Sequence, residues 1–246
     1  MINMKKQAPS GSTGIFSDIR MYFLNKPHVK TYIKFKTEEE RYAYSKRILQ
    51  RIGMGVDEFR MLNIHRIGIE TPAVFVFEEL MKWNGDASYW PNHIAKVSLK
   101  DGKLDKIKVN LFGLPSDPFK PPKGIGRLNL FHLFNLNAIK FQKTPVPFDF
   151  DNARYLLYKC SGGYPIGIFL MYVRTSIHEQ GETELSQLFM VVGFNFYGSR
   201  TLSKRRIVFK TWETIHNRAT THIMNRFKEI CEWRFDQFVN EKIPKV

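Results

Sequence analysis

His132 is the polar residue that most needs a role, because it stands among Leu128, Leu130, Phe134, Leu136 and Ala138, the apolar even-numbered positions of a strand-like run over 128–141. A histidine on an apolar strand face needs either a hydrogen-bond partner or a ligand. Asn110, Tyr155, Tyr172 and Arg174 lie in other strand-like runs and could supply the few convergent polar groups of an apolar pocket. Two chemistries follow: binding of a small molecule among these groups, or polarisation of a substrate carbonyl by His132 with a neighbouring Tyr or Asn. A register slip of one residue would turn each strand residue to the opposite face, so sequence alone does not assign the facing.

Motif chemistry is otherwise sparse. The chain has no G-x-S-x-G elbow, P-loop, H-E-x-x-H or C-x-x-C. His216 and His222 share a helical run but are six residues apart, a spacing that does not bring both to one metal, so neither a metal nor a cofactor is expected. Cys160 and Cys231 fall in a strand and in a helix stripe, which suits buried, reduced thiols rather than a disulfide scaffold. Glu179, Glu182 and Glu184 surround a turn and read as solvated.

The elements that must position these residues are legible in the periodicity. Runs over 154–160, 166–177 and 185–196, separated by Gly-containing turns, predict an antiparallel meander. From Trp212, apolar residues recur through Ile215, Ala219, Ile223, Phe227, Ile230, Cys231 and Phe238, predicting a long amphipathic terminal helix. Upstream, Thr37-Glu38-Glu39-Glu40 opens a helix that stops by Gly53, with carboxylates at the positive end of its dipole. Residues 61–69 read as a strand, and Thr71-Pro72 starts a short helix ending at Asn84-Gly85. Runs over 94–99 and 104–112 flank Asp101-Gly102, a hairpin signal. Residues 113–127 contain four prolines and three glycines and predict a loop.

Strand, short helix, at least five antiparallel strands, then a long helix is an order that resembles the helix-grip fold of the START and Bet v 1-like superfamily, which includes polyketide cyclase-like and lipid-transfer proteins. The run Thr71-Pro72-Ala73-Val74-Phe75-Val76-Phe77-Glu78-Glu79-Leu80-Met81-Lys82-Trp83, followed by Tyr89-Trp90-Pro91, is similar to that family's opening helix and the Trp-Pro that ends it. The resemblance implies an α+β fold in which a curved antiparallel sheet wraps around the C-terminal helix, with a hydrophobic cavity between them. It implies that the cavity, with Phe227 on its helix, holds a hydrophobic small molecule or lipid. It also places Arg200, Lys204, Arg205 and Arg206 near the cavity mouth, where they could hold an anionic headgroup or touch an anionic membrane, at about 1 kcal/mol per basic residue. The chain then divides into a tail at 1–14, an extension with one helix at 15–60 and a helix-grip domain at 61–246.

A 43% hydrophobic composition over 246 residues supports an ordinary buried core. The formal charge of +15 implies attraction to anionic surfaces without choosing among them. Aromatic and basic residues interleave over 15–36, a pattern that also serves nucleic acid, although packing against the chain's own domain is the simpler reading. No apolar run reaches the ~20 residues of a membrane span, and the expectation is a cytoplasmic protein with at most peripheral membrane contact. Both alternating sets of 166–177 are apolar, so both faces of that strand need a cover. The terminal helix or the cavity meets one. The helix after Thr37 is the nearest candidate for the other, and a homodimer interface the next.

Overall fold

The computed structural model describes residues 29–51, 53–81, 95–100, 103–111, 135–140, 153–161, 166–176, 185–195 and 206–242. The chain runs α1 (Glu38–Gln50), a 3-10 turn (Val56–Glu58), β1 (Met61–Ile69), α2 (Ala73–Met81), β2 (Ala95–Lys100), β3 (Lys103–Leu111), β4 (Asn135–Lys140), β5 (Ala153–Ser161), β6 (Ile166–Ser176), β7 (Leu185–Asn195) and α3 (Arg206–Lys242). All seven strands form one antiparallel sheet in the order β1-β7-β6-β5-β4-β3-β2. The first strand thus pairs with the last, and α3 lies across the sheet against β1 and α2. This is the helix-grip architecture.

Local chemistry sets the boundaries. The Thr37 hydroxyl accepts from the Glu40 amide at 3.2 Å, which satisfies a donor that the first turn of α1 leaves open, and the Glu40 carboxylate reaches back to accept from the Lys36 amide before the helix at 2.9 Å. Gly53 closes the helix with φ of 72°, a left-handed conformation that favours glycine. Helix α3 begins at Arg206, six residues before the apolar periodicity suggests. Its first turns bury little: Ile207 is 82% exposed, so the periodic signal is absent there. At the other end Phe238 is 42% exposed rather than part of the buried stripe, with its ring 5.8 Å from Phe75.

Two apolar layers hold the sheet, one on each face. On the concave face, Met61, Ile67 and Ile69 of β1, Leu188, Met190, Val192 and Phe194 of β7, Phe169, Met171 and Val173 of β6, and Leu156 and Tyr158 of β5 pack with α2 and α3. Ile223, Met224, Phe227, Ile230 and Cys231 supply most of the α3 stripe. On the convex face, Leu62, Ile64, Leu157, Ile168, Leu170, Phe189 and Val191 are covered by Ile48 and Leu49 of α1, with Met54, Val56 and Phe59 beside them. The N-terminal extension therefore supplies the second cover that the doubly apolar β6 requires.

Strands β6 and β7 leave no room for a side chain at Gly167. A Cβ there would press on the Gly193 carbonyl oxygen and lie 2.6 Å from the Phe194 Cα, both backbone atoms of a buried strand with no room to yield. Gly167→Ala is expected to destabilise the protein by about 2–3 kcal/mol, read as a lower urea midpoint.

Candidate functional site: a polar cluster between the first strand and the terminal helix

Alternation along β1 sends Met61, Asn63, His65, Ile67 and Ile69 toward α3. Two polar side chains thus enter an apolar face, and both are completely buried. Opposite them, the first half of α3 presents Trp212, His216, Asn217, Thr220 and Thr221, separated by near-integral turns. The Trp212 indole stacks on His216 with ring centroids 4.5 Å apart and meets Phe194 edge-on at 4.5 Å. The imidazoles of His65 and His216 lie 6.0 Å apart.

A strap formed by residues 29–33 closes the cluster from the side. It pairs antiparallel with the outer edge of β1: the Ile33 amide donates to the Ile64 carbonyl at 3.2 Å and the Arg66 amide to the Thr31 carbonyl at 2.8 Å. Asn225 of α3 grips it like a neighbouring strand, accepting from the Val29 amide at 2.9 Å and donating to the Val29 carbonyl at 2.8 Å. The Thr31 hydroxyl sits 2.9 Å from His65 Nδ1 and 2.8 Å from the Thr221 hydroxyl. Tyr32 donates to Glu213 at 2.7 Å.

Burial governs the electrostatics. It pushes His65 down to about 3, helped by the nearby His216 and opposed by the Asn217 carboxamide. It also pushes His216 down to about 4. Burial, the Glu213 hydrogen bond and the Glu213 charge raise Tyr32 to about 12, against smaller opposing effects of Arg41 and Asn217. Both imidazoles are therefore neutral near pH 7.

The polar groups are only partly satisfied. Asn63 Nδ2 donates to Asn217 Oδ1 at 2.6 Å, yet among the described residues Asn63 Oδ1, His65 Nε2 and Trp212 Nε1 find no hydrogen-bond partner. An orphaned buried polar atom costs about 1–3 kcal/mol, so two on adjacent inward positions of one strand need an explanation.

The residues expected from sequence divide differently. Phe227 is 5% exposed and packs in the concave cluster. Tyr155, Tyr172 and Arg174 do not: they sit on the convex face, across the sheet from α3. The Tyr172 hydroxyl accepts from Arg51 at 2.9 Å, and Arg174 donates twice to Gln187 Oε1, at 3.1 and 2.8 Å, while lying 5.3 Å over the Phe189 ring. The even positions of β5 and β6 face opposite sides, which puts the β6 pair away from α3. Tyr155 follows the odd set of β5 to the same side. These three lie on the face that α1 covers, across the sheet from α3. Asn110 pairs with Lys96 and Asn135 through its backbone, and Arg206 opens α3; His132, Phe134, Arg200, Lys204 and Arg205 lie outside the described residues.

His65, Asn63, Trp212 and His216 are the residues sequence reasoning missed. The signal existed, since Asn63 and His65 alternate with Met61, Ile67 and Ile69 as His132 does with its neighbours. Trp212 and His216 also stand four apart on the helix. Among the described residues no group of three or more His, Cys, Asp or Glu side chains is placed to hold a metal, and no helix is long and apolar enough to cross a membrane.

No protein-family model matches the chain, and no curated protein matches it either. Among solved structures, Zhui aromatase/cyclase from Streptomyces sp. R1128 is similar at 15% identity and a TM-score of 0.40, covering 69% of this chain and 92% of that one. A conserved protein from Geobacillus kaustophilus aligns at 15% identity and a TM-score of 0.36, covering 72% and 96%. Norcoclaurine synthase from Thalictrum flavum, in complex with dopamine and hydroxybenzaldehyde, aligns at 12% identity and a TM-score of 0.34, covering 78% and 96%. Likeness at this level carries no weight on activity. The class of the protein, helix-grip α+β, rests on its own strand order and on the seat of α3 across β1.

Proposed function

We propose that this protein is a non-enzymatic binder or carrier that encloses a mainly apolar small molecule between the concave face of the sheet and α3. The observation that carries this reading is the set of orphaned polar atoms on Asn63, His65 and Trp212, at the border of an otherwise apolar layer. Ligand sites of this kind take most of their affinity from apolar burial and their orientation from a few fixed polar groups.

Binding is favoured over catalysis by the state of the imidazole. A general base works best with a pKa near the operating pH, whereas His65 lies near 3. At neutral pH it accepts a hydrogen bond well and takes a proton poorly.

Native mass spectrometry of the purified chain, paired with organic extraction, tests the proposal. The expected result is an adduct that disappears on denaturation and an apolar molecule in the extract. A spectrum at the polypeptide mass alone, with an empty extract and no uptake from an added lipid mixture, would overturn it.

A further inference from the structure

The hydrogen-bond chain behind His65 fixes which of its nitrogens carries the proton. Thr221 donates its hydroxyl proton to the Asn217 carbonyl one turn back, at 2.7 Å. A hydroxyl has one proton, so toward Thr31, 2.8 Å away, Thr221 acts as acceptor. Thr31 therefore spends its own proton on Thr221. Its remaining contact, 2.9 Å to His65 Nδ1, requires the imidazole to donate. The neutral ring is then protonated on Nδ1, and Nε2, buried and without a hydrogen-bond partner among the described residues, carries an open lone pair.

Resting on the binding reading above, we infer that this site selects an apolar molecule bearing a neutral hydrogen-bond donor, a hydroxyl group above all, and discriminates against carboxylates and phosphates. His65 Nε2 and Asn63 Oδ1 both offer lone pairs, and the Trp212 indole offers an N–H. A hydroxyl is the smallest group that both donates and accepts, so it can use an acceptor and the indole of this cluster. An anion would set its own lone pairs against two acceptors in a buried setting, where an unmatched charge is costly. The low proton affinity of both histidines keeps them from becoming cationic partners for an anion near pH 7. The chain's +15 charge suggests an anionic ligand, yet the interior of the cluster calls for an uncharged one.

Isothermal titration of the full chain with 2-naphthol, 2-methoxynaphthalene and 2-naphthoate tests the inference, since the three share a ring system and differ in the polar group. The expected order is 2-naphthol tightest, by about tenfold or more over its methyl ether, with 2-naphthoate weakest. His65→Phe should bring naphthol and ether to within about twofold while ether binding persists. Equal binding of naphthol and ether by the unaltered protein, or preference for naphthoate, would overturn the inference and leave the binding reading standing. Failure of all three to bind would overturn the inference, and the binding reading falls with it only if the extract is empty and lipid uptake fails as well. A long-range 15N–1H correlation spectrum of the unaltered protein checks the tautomer without any variant: an Nδ1–H signature for His65 is expected, and an Nε2–H signature would overturn the assignment.

Discussion

Acidification from pH 7 to pH 4 is expected to strip about 3 kcal/mol of stability through His65 alone. In the folded chain this imidazole resists protonation down to about 3, against an ordinary value of 6.5. The unfolded chain therefore binds the proton first. Stability from the neutral ring is complete above pH 6.5, falls as the pH drops below that value, and is exhausted once the folded-state value is passed. His216, held near 4 by burial, loses stability in the same window, and the two are coupled because each charge opposes the other across 6.0 Å. Glu213 reaches this group of rings through the Tyr32 hydroxyl. Urea denaturation of the native sequence and of His65→Gln at pH 7, 5.5 and 4 isolates the effect, because the carboxylates are common to both. The variant should show the shallower decline between pH 6.5 and 4. Parallel curves would show that His65 is not held neutral by burial.

Phe227→Ala should cost about 4 kcal/mol and also weaken retention of the bound molecule. Phe227 is 5% exposed and meets the concave layer from the middle of α3. Removing its ring deletes apolar burial and leaves a void that the β-sheet, packed on its other side by α1, closes only in part. Phe227→Leu, which keeps much of the volume, should cost about 1.5 kcal/mol or less. Chemical denaturation gives the stability change, and the adduct fraction in native spectra gives the retention. A full stability loss with undiminished adduct would place the ligand away from this layer and count against the proposed function.

How far the amino-acid order disclosed this arrangement depended on whether a signal was local. The limits of β1, and nearly those of β5, β6 and β7, follow from β-branched and aromatic runs between turn residues. The start of α1 follows from Thr37 and three glutamates. Facing was harder. In β6, Ile168, Leu170 and Tyr172 on one side and Phe169, Met171 and Val173 on the other are equally apolar, so period-two alternation marks a strand covered twice without saying which side meets α3. Tyr172 and Arg174 are candidates for a pocket whose side of the sheet the sequence does not assign, and they lie on the side away from α3. The same doubling hid the site: Leu62 and Ile64 interleave with Asn63 and His65, and the polar pair reads as scatter until the sheet is assembled. The meeting of His65 with His216, 151 positions apart in the chain, is a product of β1 pairing with β7 and of α3 crossing back over it. Neither step leaves a local trace.

The strap over 29–33 also bears on how the molecule behaves in company. β1 stands at the end of the sheet order, and an exposed terminal strand is a template on which other chains can zip up. Here the Ile64 carbonyl and the Arg66 amide are already engaged by Ile33 and Thr31, and Asn225 pins the same segment to α3. Trimming the chain past Thr31 would uncover that rim. Fibril-like growth and loss of colloidal solubility would then set in at this side of the sheet first.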